Sequence, residues 1–213
     1  MQKIVPKTSF YFLFFLLIPF LVLSQKEWTK AVDKNGIKVW TKTYNTRGIK
    51  QFKAETTFNA NIHTVVAALM DVEGSSKWYD MVSKVSVLKR YSVTEAIYRI
   101  DFNFPAFTTD RYSTVKASIR KDEASGDYIV KTKYEPFKIE EDKSKVFVDN
   151  IESEWRITAI DDQHTKVYHA AFMDPNGSIP VWMINTSVTS GPVSTLTDLG
   201  KVLSKYTTLD ASF

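Results

Sequence analysis

At 213 residues, with 44% hydrophobic and 24% charged side chains, the chain is long enough to bury one sizeable core. The absence of Cys excludes disulfides, so the core must be sufficient alone, and it leaves no thiol to carry a lipid. A net charge of +4 comes without any Lys/Arg cluster or aromatic-basic interleaving, so nucleic acid is not an expected partner.

The first 24 residues read as a leader. Lys3 and Lys7 precede the uncharged run "TSFYFLFFLLIPFLVL", Thr8 to Leu23, and Ser24 supplies a small residue before Gln25. That is the three-part pattern of a secretory signal peptide. Its apolar core, Phe10 to Leu23, falls short of the ~20 residues a membrane span needs. The expected organisation is a signal peptide over 1–24, one domain over 25–207 and a short tail over 208–213. Cleavage leaves 26 basic against 24 acidic side chains, and the expected product is exported, periplasmic or secreted, and soluble.

Alternating apolar residues predict strands first. "IKVWTKT" (37–43) follows an Asn35-Gly36 turn and should pair with Glu27–Asp33. "QFKAETTF" (51–58) places Phe52, Ala54, Thr56 and Phe58 on one face. The period then changes: Ile62, Val65, Val66, Leu69 and Met70 follow helical spacing, with Asn61 or Asn59 as cap. "SSKWYDMV" (75–82) reads as a second short helix or turn. Strands follow at 84–91, 95–102, 109–120, 127–134, 144–149, 152–160 and 165–173.

"DPNGSIP" (174–180) is turn chemistry running into a helix start, with Ser178 as the expected cap and Pro180 in the first turn. Val181, Ile184, Val188, Thr195, Leu196, Leu199, Leu203 and Tyr206 form an amphipathic stripe. Pro192 is expected to kink this helix, because it removes one backbone bond and clashes with the Val188 carbonyl. The fold class is therefore α+β, a curved antiparallel sheet around a long C-terminal helix. Aromatic residues at 14% are in excess and would suit either dense packing or a lined cavity.

Three stretches resemble the START domain, the lipid-transfer branch of the helix-grip superfamily that also holds Bet v 1-like proteins. They are "ALMDVEGSSKWYDMVSKVSVL" (68–88), "FPAFTTDRY" (104–112) and "SEWRITAI…TKVYHAAFMDPNGSIPVWMIN" (153–185). The resemblance implies a non-enzymatic, cofactor-free monomer enclosing one lipid or other apolar molecule between sheet and helix. It also implies transient membrane contact while helix and loops move aside. Sterol-type members carry a second arginine six residues beyond the one matched by Arg111; here that position is Ala117, which leaves more room at the cavity floor.

Strand parity places Arg111 on the face of Ser113, Val115, Ala117 and Ile119. A buried guanidinium needs partners, and Asp110 or Asp101 is expected to supply one. Arg111 is then either a head-group anchor or a structural ion pair pinning its loop. Trp155 and Ile157 are expected on a cavity wall, with Val188, Leu196 and Leu199 facing it from the helix. Phe104, Pro105 and Phe107 form the expected gate loop, and Trp182 and Pro192 belong to the lid. His169 shares a face with Val167 and Ala171, as a core residue or as an acid–base group with Arg111 and Asp101 in a helix-grip enzyme such as a cyclase. A partner-binding module with a collapsed pocket is the third reading. His63 and His164 show no metal-ligand spacing.

Overall fold

The computed structural model describes residues 27–207 except Ala106; the proposed leader and tail lie outside them. Asn35 and Gly36 both take positive φ, 53° and 75°, and so close the hairpin of β1 (Thr29–Lys34) and β2 (Ile37–Thr43). β3 (Lys50–Phe58) follows, then α1 (Ile62–Met70), whose cap Asn61 accepts the Thr64 N–H at 2.9 Å. A 3-10 turn over Glu73–Lys77 leads to β4 (Val82–Arg90), β5 (Glu95–Phe102), β6 (Arg111–Lys121) and β7 (Tyr128–Tyr134). The two-residue β8 (Val146–Phe147), β9 (Ile151–Ala159), β10 (Thr165–Met173) and α2 (Val181–Val202) complete the order, with a last 3-10 turn over Leu203–Tyr206.

The sheet runs β1-β2-β3-β10-β9-β7-β6-β5-β4, every neighbour antiparallel, and α2 packs against β2 and β3. Its register explains where the core is dense and where it is open. One row across the concave face reads Val39, Ala54, His169, Trp155, Val130 and Ile119. Against this row pack α1 and the second half of α2, with Leu196 and Leu199 fully buried. The next row reads Phe52, Ala171, Ser153, Thr132, Ala117 and Ala96. Five of its six side chains are small, so the sheet recedes from the helix there.

Two local expectations change, at 144–149 and at the α2 cap. The 144–149 segment pairs as only two residues, and in parallel, because it must lie along the start of β6: Val146 and Val148 donate to the Asp110 and Tyr112 carbonyls. The 75–82 segment is the expected short helix or turn: the 3-10 turn ends before Trp78, and Met81 at φ 62° turns the chain into β4. The helix cap is Pro180, without a side-chain bond, not Ser178. Buried Ile179 pins the approach, and the Pro180 carbonyl accepts from Met183 and Ile184. Pro192 lies inside α2, as expected. Just before it, Thr186, Ser187, Thr189 and Ser190 hydroxyls donate to carbonyls four residues back, bonds that bend helices.

Candidate functional site

The row of small residues leaves a cavity of about 230 Å³ between the sheet and α2. Ala171, Ser153, Thr132 and Ala117 form its floor, and Trp78, Tyr79 and Trp155 close one side. Val85, Tyr98 and Phe102 supply a second apolar side, and Ile184, Val188 and Pro192 the roof. The lining is predominantly apolar, which is the character of a small-molecule site.

Of the residues expected at the site, Val115, Ala117, Trp155 and Val188 line the cavity, as do Phe104, Pro105 and Pro192. The others have different surroundings. Asp101 faces away, because the parity of β5 gives the inner face to Tyr98, Ile100 and Phe102. Its carboxylate accepts from Arg99 Nη2 and Lys145 Nζ, both at 2.8 Å, and these cations hold its pKa below the usual value against the opposing effect of burial. Ile157, Leu196 and Leu199 are sealed in the adjacent core. Phe107 and Trp182 point to solvent, 75% and 69% exposed.

Arg111 is buried, but no carboxylate pairs with it among the described residues. Its Nε donates to the Pro175 carbonyl at 3.1 Å and its Nη2 to the Asn176 carbonyl at 3.4 Å; Nη1 donates to Thr109. The Phe104 ring lies 4.6 Å from the guanidinium carbon. Asp110, the expected partner, instead accepts the Phe104 N–H at 2.9 Å. The arginine therefore ties the loop before β6 to the 174–177 turn. Gly177 sits against it: a Cβ there would lie 3.3 Å from Nη2.

His169 stacks on Trp155 at 3.6 Å and 9°, and its Nε2 shares a hydrogen bond of 3.1 Å with the Tyr79 hydroxyl. Burial lowers its pKa to about 3, so the ring is neutral, and burial pushes the Tyr79 hydroxyl up. His169 Nδ1 and Trp78 Nε1 are buried without hydrogen-bond partners among the described residues. Neither Arg111 nor His169 lines the cavity.

Three side chains escaped the sequence reading. Asp80 lies under α2, where its N–H donates to Thr195 Oγ1 at 3.0 Å; burial raises its carboxyl pKa, with Ser194 opposing and Asp198 reinforcing. Gly191 permits this approach, since a Cβ would fall 2.9 Å from Asp80 Oδ2. Asn185 clasps the other end of the roof, donating to the Gly48 carbonyl at 3.1 Å and accepting the Lys50 N–H at 2.9 Å. Lys50 is the third; it is the one cation on the cavity wall among the described residues.

Asn185→Ala removes the clasp and strands two backbone groups, costing about 1–3 kcal/mol. Urea denaturation of the variant against the wild type should read that loss directly as a lower midpoint at an unchanged slope.

A family model for the START domain matches residues 21–208. An uncharacterized protein of Pseudomonas aeruginosa is 29% identical over 181 residues, 84% of this chain and 88% of that one. The phosphatidylcholine transfer protein of Rattus norvegicus is 22% identical over 186 residues, 86% and 87% of the two chains. Among solved structures, a STAR-related lipid transfer protein fragment from Xanthomonas axonopodis superposes with a TM-score of 0.75 at 26% identity, covering 83% of this chain and 98% of its own. With its curved antiparallel sheet and C-terminal helix, this chain belongs to the START family.

Proposed function

We propose that this protein binds one lipid or other apolar molecule under α2 and transfers or shields it without converting it chemically. The observation that carries the reading is the apolar cavity above the row of small residues. Shielding is worth about 0.8 kcal/mol for each buried CH₂. The lipid-transfer relatives support the same reading, and so does the placement of Arg111 and His169, both engaged outside the cavity. At about 230 Å³ the cavity lies just below the ~300–1,000 Å³ usual for ligand sites, so a larger lipid requires its walls to give way.

The carrier is further proposed to be exported through its 1–24 leader, to act as a monomer and to touch membranes transiently. Exposed Phe107 follows the wall residue Pro105 by two positions, and exposed Trp182 precedes the wall residue Met183, so both rings flank the cavity. The double variant Phe107→Ser with Trp182→Ser should lose most vesicle co-sedimentation while its melting temperature stays unchanged; undiminished co-sedimentation excludes this contact.

The functional reading is tested by expressing the chain from Gln25 and analysing an organic extract by mass spectrometry against a mock purification. A stoichiometric apolar species is expected. An empty extract, together with failure of the folded protein to take up any offered lipid, overturns the carrier reading.

A further inference from the structure

The polar groups of the cavity are distributed unevenly along α2. Lys50 lies at the level of Asn185, to which its own N–H is bonded, whereas Asp80 lies beneath Gly191 and Thr195. Six to ten helical residues separate the two levels, about 9–15 Å at the helical rise. Between them the wall is mostly apolar.

Lys50 begins β3, and the parity that turns Phe52 and Ala54 inward applies to it as well. Two acids also border the cavity, and neither neutralises it. Glu152 lies in register with Phe172 and Lys133, out of step with inward-facing Ile151 and Ser153, and the Tyr44 hydroxyl holds its carboxylate at 3.2 Å. Asp80 is at the far level. No carboxylate forms an ion pair with the Lys50 ammonium among the described residues, although many other lysines and arginines there do so. At the same end, buried Arg111 is satisfied by carbonyls alone, behind the wall residues Phe104 and Pro175.

We propose that Lys50 is the head-group anchor of this cavity, and that the ligand is an amphiphile with one ionised carboxylate or phosphate and an apolar chain. The head sits beside Lys50 under the Asn185 clasp, and the chain runs over the Ala171-Ser153-Thr132-Ala117 floor towards Trp78 and Trp155. The anchor role that strand parity offered to Arg111 passes to Lys50, because the guanidinium is already occupied by backbone. An ammonium bordering a low-dielectric space favours an anion and gives a neutral head of the same length no equal return. This inference rests on the carrier reading and narrows its ligand class.

The test uses the chain from Gln25 with a fluorescent polyene fatty acid and the alcohol of the same chain, and an alkyl phosphate as competitor. The fatty acid should bind at least about tenfold more tightly than the alcohol. Lys50→Gln should abolish that preference while leaving alcohol binding within about twofold, and Lys50→Arg should retain it. The backbone bond to Asn185 survives both substitutions, and thermal melting confirms the fold. Stronger competition by the phosphate assigns a phosphate head, and weaker competition a carboxylate. An acid-to-alcohol ratio unchanged in Lys50→Gln, or equal binding of both probes by the wild type, overturns the anchor and leaves the carrier intact. A wild-type protein that takes up neither probe overturns both.

Discussion

Acidification from pH 6.5 to pH 4 should lower the unfolding free energy by about 3 kcal/mol through His169 alone. The imidazole titrates near 6.5 when free, but burial lowers it to about 3 in the folded chain. Between those values the unfolded chain takes up a proton that the folded chain refuses, so stability falls by about 1.4 kcal/mol per pH unit. Above pH 6.5 both states are neutral and the contribution is complete. Asp101, Asp142 and Asp161, whose pKa values are lowered, lose their contributions further down, as pH falls through the ordinary carboxylate value of 3.8 towards their folded values. Asp80 acts in the opposite sense: with a raised pKa, it favours the fold on acidification. Chemical denaturation at several pH values measures the slope. His169→Phe keeps an aromatic ring on Trp155 and should flatten the profile between pH 6.5 and 4; an unchanged slope would show that another group titrates there.

Arg111 should be among the least replaceable side chains in the fold. Arg111→Leu removes a buried, planar donor and strands the carbonyls of Thr109, Pro175 and Asn176 together, with an expected loss of about 3–5 kcal/mol. Lysine should rescue little, since one ammonium cannot reproduce the fan of guanidinium donors across three carbonyls. Urea denaturation reads the loss directly. At a temperature where the variant is still folded, the acid-to-alcohol preference should survive, because Lys50 and not Arg111 meets the ligand. Loss of that preference without loss of stability would return the anchor to Arg111.

Most of the fold follows from patterns that act over short distances. The Asn35-Gly36 turn, the alternation in 37–43 and 165–173 and the Asn61 cap are local devices, and each forms as its residues dictate. β8 was harder to read because its pairing is decided by the start of β6 beside it, not by its own alternation. The cavity was legible only in part. Parity identified Val115, Ala117 and Trp155 as inward, but an inward side chain lines open space only where register sets small residues in a row. That row joins five strands, and no single stretch of sequence displays it. Lys50 was missed by one residue: the strand was read from Gln51, and one step back along the same parity reaches the lysine. Asp101 was named as a partner because a buried guanidinium needs one, without applying the parity of β5, which turns it to Arg99 and Lys145.

The central claim is that the ligand occupies the space above Ala117. Native mass spectrometry of the wild type and of Ala117→Trp tests it most directly, because the new ring projects from the floor into the cavity. The wild type should retain one apolar adduct per chain, and the folded variant should lose it. An adduct retained equally by both would place the ligand elsewhere and contradict the account.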